Sequence, residues 1–334
     1  MKILFKNAKM LTLKDEKIKH GDLLVVDDKI AQIAPKINVK VDRVIDCQGN
    51  LLMPGFKNAH THSAMTFLRS HADDMPLQHW LFDFVIPSES RIKKNDIYHL
   101  AKVAFLEYLT SGITACFDMY FAPDEMKRAA EDIGMRLVFD QLPQNTPAEF
   151  KAAKKRIINS KPGDLVIMRL GLHAEYSQTT QKIKDIASLA HELKAPVFVH
   201  SSETRKESDE CYKRHKLTPP RYLAKMGLFD YGGGIFHGVF LTKADLKVLH
   251  DKKVYVCTCP CSNLKLASGI APIRALLDAK IKVAIGTDGP ASNNGLDMFR
   301  EMYLTAVLQH LCEDNAAACP AEEVLRMACV NGAR

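Results

Sequence analysis

The chain predicts an α/β fold: a (β/α)8 TIM-like barrel preceded by a small N-terminal β-sandwich portion. Three observations carry that prediction. After Pro54-Gly55, eight apolar strand-like runs alternate with helical patterns. Residues 1–50 instead hold short strand signals separated by turns, with no room for a helix. Histidine or aspartate closes four of the eight runs, as His60-Thr61-His62, His200, His237 and Asp288. Parallel strands closed into a barrel gather such ends on one rim, where loops do chemistry.

The elements follow in order. Ile3-Leu4-Phe5, Asp22–Val26, Lys29–Ile33 and Arg43–Asp46 read as strands of an antiparallel unit, turned at Asp27-Asp28 and Gly49-Asn50. Barrel strands are expected at 51–58, 113–119, 136–142, 165–173, 195–200, 234–238, 253–258 and 282–287. Their continuous apolar character fits strands buried on both faces. Between them, 95–110 places Ile97, Leu100, Ala101, Ala104, Phe105 and Tyr108 on one helical face, with Gly112 as a stop. Further helices are expected at 180–194, at 243–251 and at 298–311. Thr242 caps the 243–251 helix, with Asp245 at the capping-box position. The expected organisation is 1–52 as sandwich strands and 53–334 as a metal-dependent barrel. Residues 322–328 read as a helix and 331–334 stop in mid-element, so a barrel truncated at its C-terminal end is expected. A three- or four-strand unit with open edges is marginal by itself.

Composition narrows the function. With 334 residues, 47% hydrophobic and 25% charged, the chain has the make-up of an ordered globular protein. Its net charge of +7 comes from dispersed lysines, without a basic stripe, so no nucleic-acid partner is expected. No apolar run reaches the ~20 residues of a membrane span. The nine cysteines are odd in number and lie mostly in apolar segments, and Met1–Lys6 turns polar too soon for a signal peptide. Reduced thiols in the cytoplasm are the expectation. Cys257, Cys259 and Cys261 alternate along a strand, which reads as core rather than a thiolate site.

The chemistry lies elsewhere. His60 and His62 are two apart on a strand, so both imidazoles face the same way and can grip one ion. His200 closes Ala195–Val199, and Glu203 stands three residues on, in the loop above. His237 closes Gly233–Phe236. Asp288 follows an apolar run, where a buried charge is expensive unless a cation pairs with it. Three imidazoles and a carboxylate suit Zn2+, one per chain, with a coordination position left for water; Fe2+ and Mn2+ are the alternatives.

At these residues the chain resembles the amidohydrolase superfamily. The resemblance rests on Pro54–His62, Val199–Thr204, Phe236–Val239 and Gly286–Gly289, and it covers nearly the whole chain. It is closest to the single-metal branch of 5-methylthioadenosine/S-adenosylhomocysteine deaminases and chlorohydrolase-like enzymes. The resemblance implies that His60, His62, His200 and Asp288 hold the metal, and that Glu203, His237 and Asp288 are catalytic. It also implies substrate contacts from Trp80, Glu89, Arg136, His173 and Ser292. Two departures bear on the substrate. No second arginine stands at 140–149 for an amino-acid tail, and Thr258 and Phe240 occupy positions where relatives often have histidine.

The expected function is therefore hydrolytic deamination of an aminopurine nucleoside: adenosine, 5′-methylthioadenosine or an S-adenosylhomocysteine-like compound. A zinc-activated water would attack the amine-bearing ring carbon. The alternatives are a deaminase of a free base such as guanine or cytosine, a chlorohydrolase acting on triazine-like rings, or a barrel kept as a non-catalytic scaffold. The expected partners are a small-molecule substrate and further copies of the chain in a homo-oligomer.

Overall fold

A computed structural model describes residues 1–15, 17–143 and 146–333. The chain divides into two compact units, Met1–Gly55 and Phe56–Arg334.

The first unit is a mixed five-stranded sheet. β1 (Lys2–Leu11), β2 (Ile18–Val26) and β3 (Lys29–Ala34) pair antiparallel in turn, whereas β4 (Arg43–Asp46) and β5 (Leu51–Leu52) both pair parallel to β1. The sequence predicted antiparallel pairing throughout. The difference arises because the 35–42 connection carries the chain back alongside β1 instead of turning in a tight hairpin. The buried Asp22 carboxylate anchors that connection by accepting from the Ile37 amide at 3.0 Å and from Asn7 at 3.1 Å. Two apolar clusters hold the unit, one around Leu4, Leu24 and Ile37, the other around Ala8, Met10 and Leu23.

The second unit is a barrel of eight parallel strands. In ring order these are β6 (Phe56–Thr61), β7 (Ile113–Met119), β8 (Arg136–Gln141), β9 (Val166–Ala174), β10 (Val197–Ser201), β11 (Gly233–His237), β12 (Val254–Thr258) and β13 (Val283–Ile285). Each expected run overlaps one of them. The first expected run, 51–58, is split by Pro54-Gly55 into β5 and β6. The expected helices appear as Lys94–Thr110, Thr180–Leu193, Lys243–Asp251 and Met298–Cys312, and the Thr242/Asp245 capping box is formed. Among the described residues, no helix is long and apolar enough to cross a membrane.

Two features position the functional rim. Hydrogen bonds join the last strand to the first: the Asp288 amide donates to the His60 carbonyl at 3.0 Å, and the Thr287 amide donates to Asn58 Oδ1 at 2.8 Å. That seam brings residues more than two hundred positions apart into contact. The lumen below is filled by Ala59, Met119, Phe236, Cys257, Cys259 and Ala284, with Phe117, Leu142 and Phe198 packed against them. Cys257 and Cys259 are thus core residues, and all nine cysteines are free thiols. The Phe236 ring stacks under His60 at 3.8 Å between centroids, giving that imidazole a rigid apolar floor.

Candidate active site

His60 lies in β6 and His62 just beyond it; His200 lies in β10 and Asp288 just past β13. Their acceptor atoms converge. His60 Nε2 is 3.1 Å from His200 Nε2 and 3.4 Å from Asp288 Oδ1, and His62 Nε2 is 3.2 Å from the same oxygen. His60 is fully buried and His200 nearly so.

The outward nitrogens decide what this cluster can hold. His62 Nδ1 lies 2.6 Å from the Met119 carbonyl and His200 Nδ1 lies 2.7 Å from the His173 carbonyl. A carbonyl only accepts, so each Nδ1 carries a proton, and each ring in its neutral form turns its Nε2 lone pair inward. Three imidazole nitrogens and a carboxylate oxygen therefore face one point. A single proton can join only one pair of them, whereas a divalent cation satisfies all four. This donor set suits zinc chemistry, and the carbonyl-locked tautomers are the orienting bonds that ligating histidines make.

Charge follows from the same crowding. Burial pushes His60 down to about 3, against the pull of Asp288. Burial also opposes charge on His62, but there Asp288 and the Met119 carbonyl win and raise it to about 9. Burial alone would raise Asp288; hydrogen bonds from His60 and His62 outweigh it and hold the carboxyl well below the usual carboxylate range. Two serines add to this, since Ser262 Oγ donates to Asp288 Oδ2 at 2.6 Å and Ser292 Oγ donates at 2.8 Å. The Gly289 amide donates to Oδ1 at 2.8 Å.

Glu203 and His237 stand over this quartet. His237 Nε2 is 3.9 Å from Glu203 Oε1 and 4.0 Å from Asp288 Oδ2, and its Nδ1 is held 2.8 Å from Asn263 Oδ1. Burial pushes the Glu203 carboxyl up, with His237 opposing and Asp288 reinforcing the rise. Behind Glu203, the buried Glu207 accepts from the Ser202 and Glu203 amides, both at 2.8 Å. Three residues here adopt left-handed backbone: Ser202 at φ 57°, His237 at φ 71° and Asp288 at φ 58°. Such strain persists where the surroundings over-determine it, and it clusters at functional rims.

A cavity of about 250 Å³ opens above. Its walls include His62, His200, Glu203, His237 and Asp288, and three of the predicted substrate contacts: Trp80, Glu89 and His173. Glu89 Oε1 and the Tyr120 hydroxyl are buried beside one another, with no hydrogen bond to any other described residue. Burial raises the Glu89 carboxyl, against the neighbouring Tyr120 hydroxyl. His173 is pushed down to about 4 by burial, and its Nδ1 lies 2.8 Å from Ser177 Oγ.

Two predicted contacts fall elsewhere. Ser292 does not line the cavity; it reaches the chemistry through Asp288. Arg136 opens β8, so it sits at the strand end opposite the rim, exposed, with its guanidinium donating to the Asp164 carbonyl at 3.4 Å. The rim end of that strand carries Asp140 and Gln141 instead. Ser262, Asn263 and Glu207 are the supporting residues that sequence reasoning missed. Ser262 and Asn263 stand just past the end of β12, and that position was their only signal.

Fold and site together define a metal-dependent hydrolase barrel. The profile of the amidohydrolase family matches residues 51–334, and the chain belongs to that family. It is 38% identical over 347 residues to a 5-methylthioadenosine/S-adenosylhomocysteine deaminase from Thermoanaerobacter pseudethanolicus, spanning 100% of this chain and 80% of that protein. It is 38% identical to a 5′-deoxyadenosine deaminase from Methanosphaera stadtmanae, spanning 97% and 78%. Among solved structures, a zinc-bound adenosine deaminase from Xanthomonas campestris superposes with a TM-score of 0.92 at 30% identity, covering 99% of this chain and 79% of that one.

Proposed function

We propose that the protein is a cytoplasmic, zinc-dependent deaminase that hydrolyses the exocyclic amine of an adenine nucleoside. The observation that carries this reading is the buried Glu203 carboxyl, raised by burial and set beside His237 above the histidine–aspartate quartet. Hydrolytic loss of an amine needs a proton donor next to the site where water is activated, because amide-like nitrogen leaves poorly. The deaminases to which the chain is similar point the same way.

His60, His62, His200 and Asp288 would hold the ion, which supplies water of lowered pKa. The remaining work falls to side chains. Asp288 takes a proton from the attacking water and returns it to the departing amine. Glu203 donates to the ring nitrogen beside the attacked carbon. His237 steadies the developing oxyanion. His173, kept neutral by burial, presents its ring at the cavity wall. Trp80 supplies an apolar surface for the base. The adjacent, buried Glu89 and Tyr120 match the hydroxyls of a ribose, which favours a nucleoside over a free base. Residues 1–52 would serve as strands of a composite β-sandwich, and the active form would be a homo-oligomer.

The test is a panel of adenosine, 5′-deoxyadenosine, methylthioadenosine, S-adenosylhomocysteine, guanine, cytosine and chlorotriazines, with ammonia and chloride measured on metal-loaded protein. Ammonia from the nucleosides is expected. Chloride from triazines, or ammonia from free bases alone, would reject the reading.

A further inference from the structure

Glu207 is 3% exposed, and among the described residues no cation pairs with it. A buried carboxylate of that kind is costly unless hydrogen bonds take the place of water. Here backbone amides do so: Oε1 accepts from the Ser202 amide and Oε2 from the Glu203 amide, both at 2.8 Å. Glu207 stands in the first turn of the helix Arg205–His215, whose N-cap Thr204 accepts from the Glu207 amide at 3.1 Å. A capping glutamate ordinarily reaches back only to the N-cap amide. Glu207 holds the two residues before the cap as well, which the helix does not require.

Those two residues form the turn that carries the proposed proton donor. Ser202 is left-handed at φ 57°, a conformation that a serine keeps only where its surroundings hold it. The same turn is bonded to the strand end that carries His237. The Ser202 carbonyl accepts from the Val239 amide at 2.9 Å and from the Phe240 amide at 2.8 Å, and the Ser201 carbonyl accepts from the Gly238 amide at 3.2 Å. His237 is itself left-handed, at φ 71°. One carboxylate thus fixes the peptide planes through which the ends of β10 and β11 meet, with Glu203 on one side and His237 on the other. Glu203 Oε1 and His237 Nε2 stand 3.9 Å apart across that junction.

We propose that Glu207 is a positioning residue for the reaction. Through the Ser202 and Glu203 amides it sets the Glu203 carboxyl, and through the Ser202 carbonyl it sets the turn after His237, at the spacing that proton transfer needs. This rests on the deaminase reading and extends it. The hydrogen bonds of Glu207 reach none of the proposed metal ligands, and Glu207 does not line the cavity. Its loss therefore acts on turnover rather than on metal or substrate binding.

The test measures kcat and KM for the best nucleoside of the panel, zinc affinity by chelator competition, and Tm. Burial pushes Glu207 up to about 7, with Glu203 adding to the rise and the amides opposing it, so the assays are made at pH 8, where it is mostly ionised. An amide side chain has one accepting oxygen and turns an NH2 toward the second backbone amide. Glu207→Gln should therefore lower kcat about 10- to 100-fold, the scale of a misplaced catalytic group, with KM and zinc affinity within about threefold of wild type. Glu207→Asp, which keeps the charge but falls a methylene short, should lie between, and it carries the same comparison if Glu207→Gln does not fold. Thr204→Ala weakens the same helix end while leaving both amides bonded; it should lower Tm and keep kcat within about threefold. In a Glu203→Gln background, Glu207→Gln should cost less than it does in the wild type, because one of the groups it sets is gone. Undiminished kcat in folded Glu207→Gln overturns the proposal. So does an equal loss of kcat in Thr204→Ala, a fall in zinc affinity that matches the fall in kcat, or an undiminished loss in the Glu203→Gln background. A wild type that deaminates no nucleoside would instead reject the deaminase reading, so the two failures are distinguishable.

Discussion

Ser262→Ala isolates the support of the proposed metal carboxylate. Ser262 Oγ makes the shortest hydrogen bond to Asp288, 2.6 Å to Oδ2, and it is wholly buried. Alanine removes that bond with almost no change of volume, so packing should survive. A hydrogen bond to a charged group is worth about 1.5–3 kcal/mol. Ser292 still donates to the same oxygen at 2.8 Å and the Gly289 amide still donates to Oδ1, so the lower end applies. At about 1.4 kcal/mol per tenfold, zinc affinity should drop about tenfold. Ser292→Ala should behave alike. The double variant should lose more than the product of the two, because each serine partly covers for the other at their shared acceptor. The assay is competition for zinc against a chromophoric chelator at neutral pH, with thermal unfolding of the metal-free protein as the control for folding. If all three variants hold zinc within twofold of wild type, Asp288 Oδ2 has no bearing on the ion and the proposed arrangement is wrong.

Three further outcomes are expected. Glu203→Gln should keep zinc but lower kcat by about 10²-fold or more, since it removes the proposed proton donor and leaves the quartet intact; undiminished turnover would clear Glu203 of that role. Gly286→Ala should abolish stoichiometric metal binding. A Cβ there would lie 2.6 Å from the His60 amide nitrogen and 2.8 Å from its carbonyl oxygen, so β6 must shift, at a cost of about 1–3 kcal/mol or more. A variant with normal metal content and normal Tm would show that the seam has slack. Burial pushes Glu301 from 4.5 up to about 7. The folded state then binds more protons than the unfolded chain between those values, so this group's contribution makes stability fall as pH rises through that window, by at most about 3 kcal/mol. Glu301→Gln should flatten the slope; parallel curves of Tm against pH for the two proteins would contradict the sign.

The most legible part of the site was the part written along strands. His60 and His62 could be paired because alternation along an extended chain is strict. His200, His237 and Asp288 could be placed because a polar residue closing an apolar run has nowhere to sit but the rim. Trp80, Glu89 and His173 came through the family likeness rather than through any pattern of their own. Arg136 shows the limit of that likeness. A short stretch resembling a motif says little about which end of a strand a residue occupies, and here β8 begins at Arg136 rather than ending there. Ser262, Asn263 and Glu207 stayed hidden for a different reason. Their roles depend on what faces them across the barrel, and neither hydrophobic periodicity nor spacing carries that information. The mixed pairing of the N-terminal sheet was hidden likewise, because the 35–42 segment has no turn signal that fixes its direction.

The two carbonyl-locked imidazoles carry a practical consequence for preparing the enzyme. With Nδ1 already committed to a backbone oxygen, the proton that keeps His62 charged up to about 9 sits on the inward nitrogen. An arriving ion must evict it. Loading should therefore acidify a weakly buffered solution by nearly one equivalent per chain at neutral pH, and reconstitution should go further in mildly alkaline buffer than in acid.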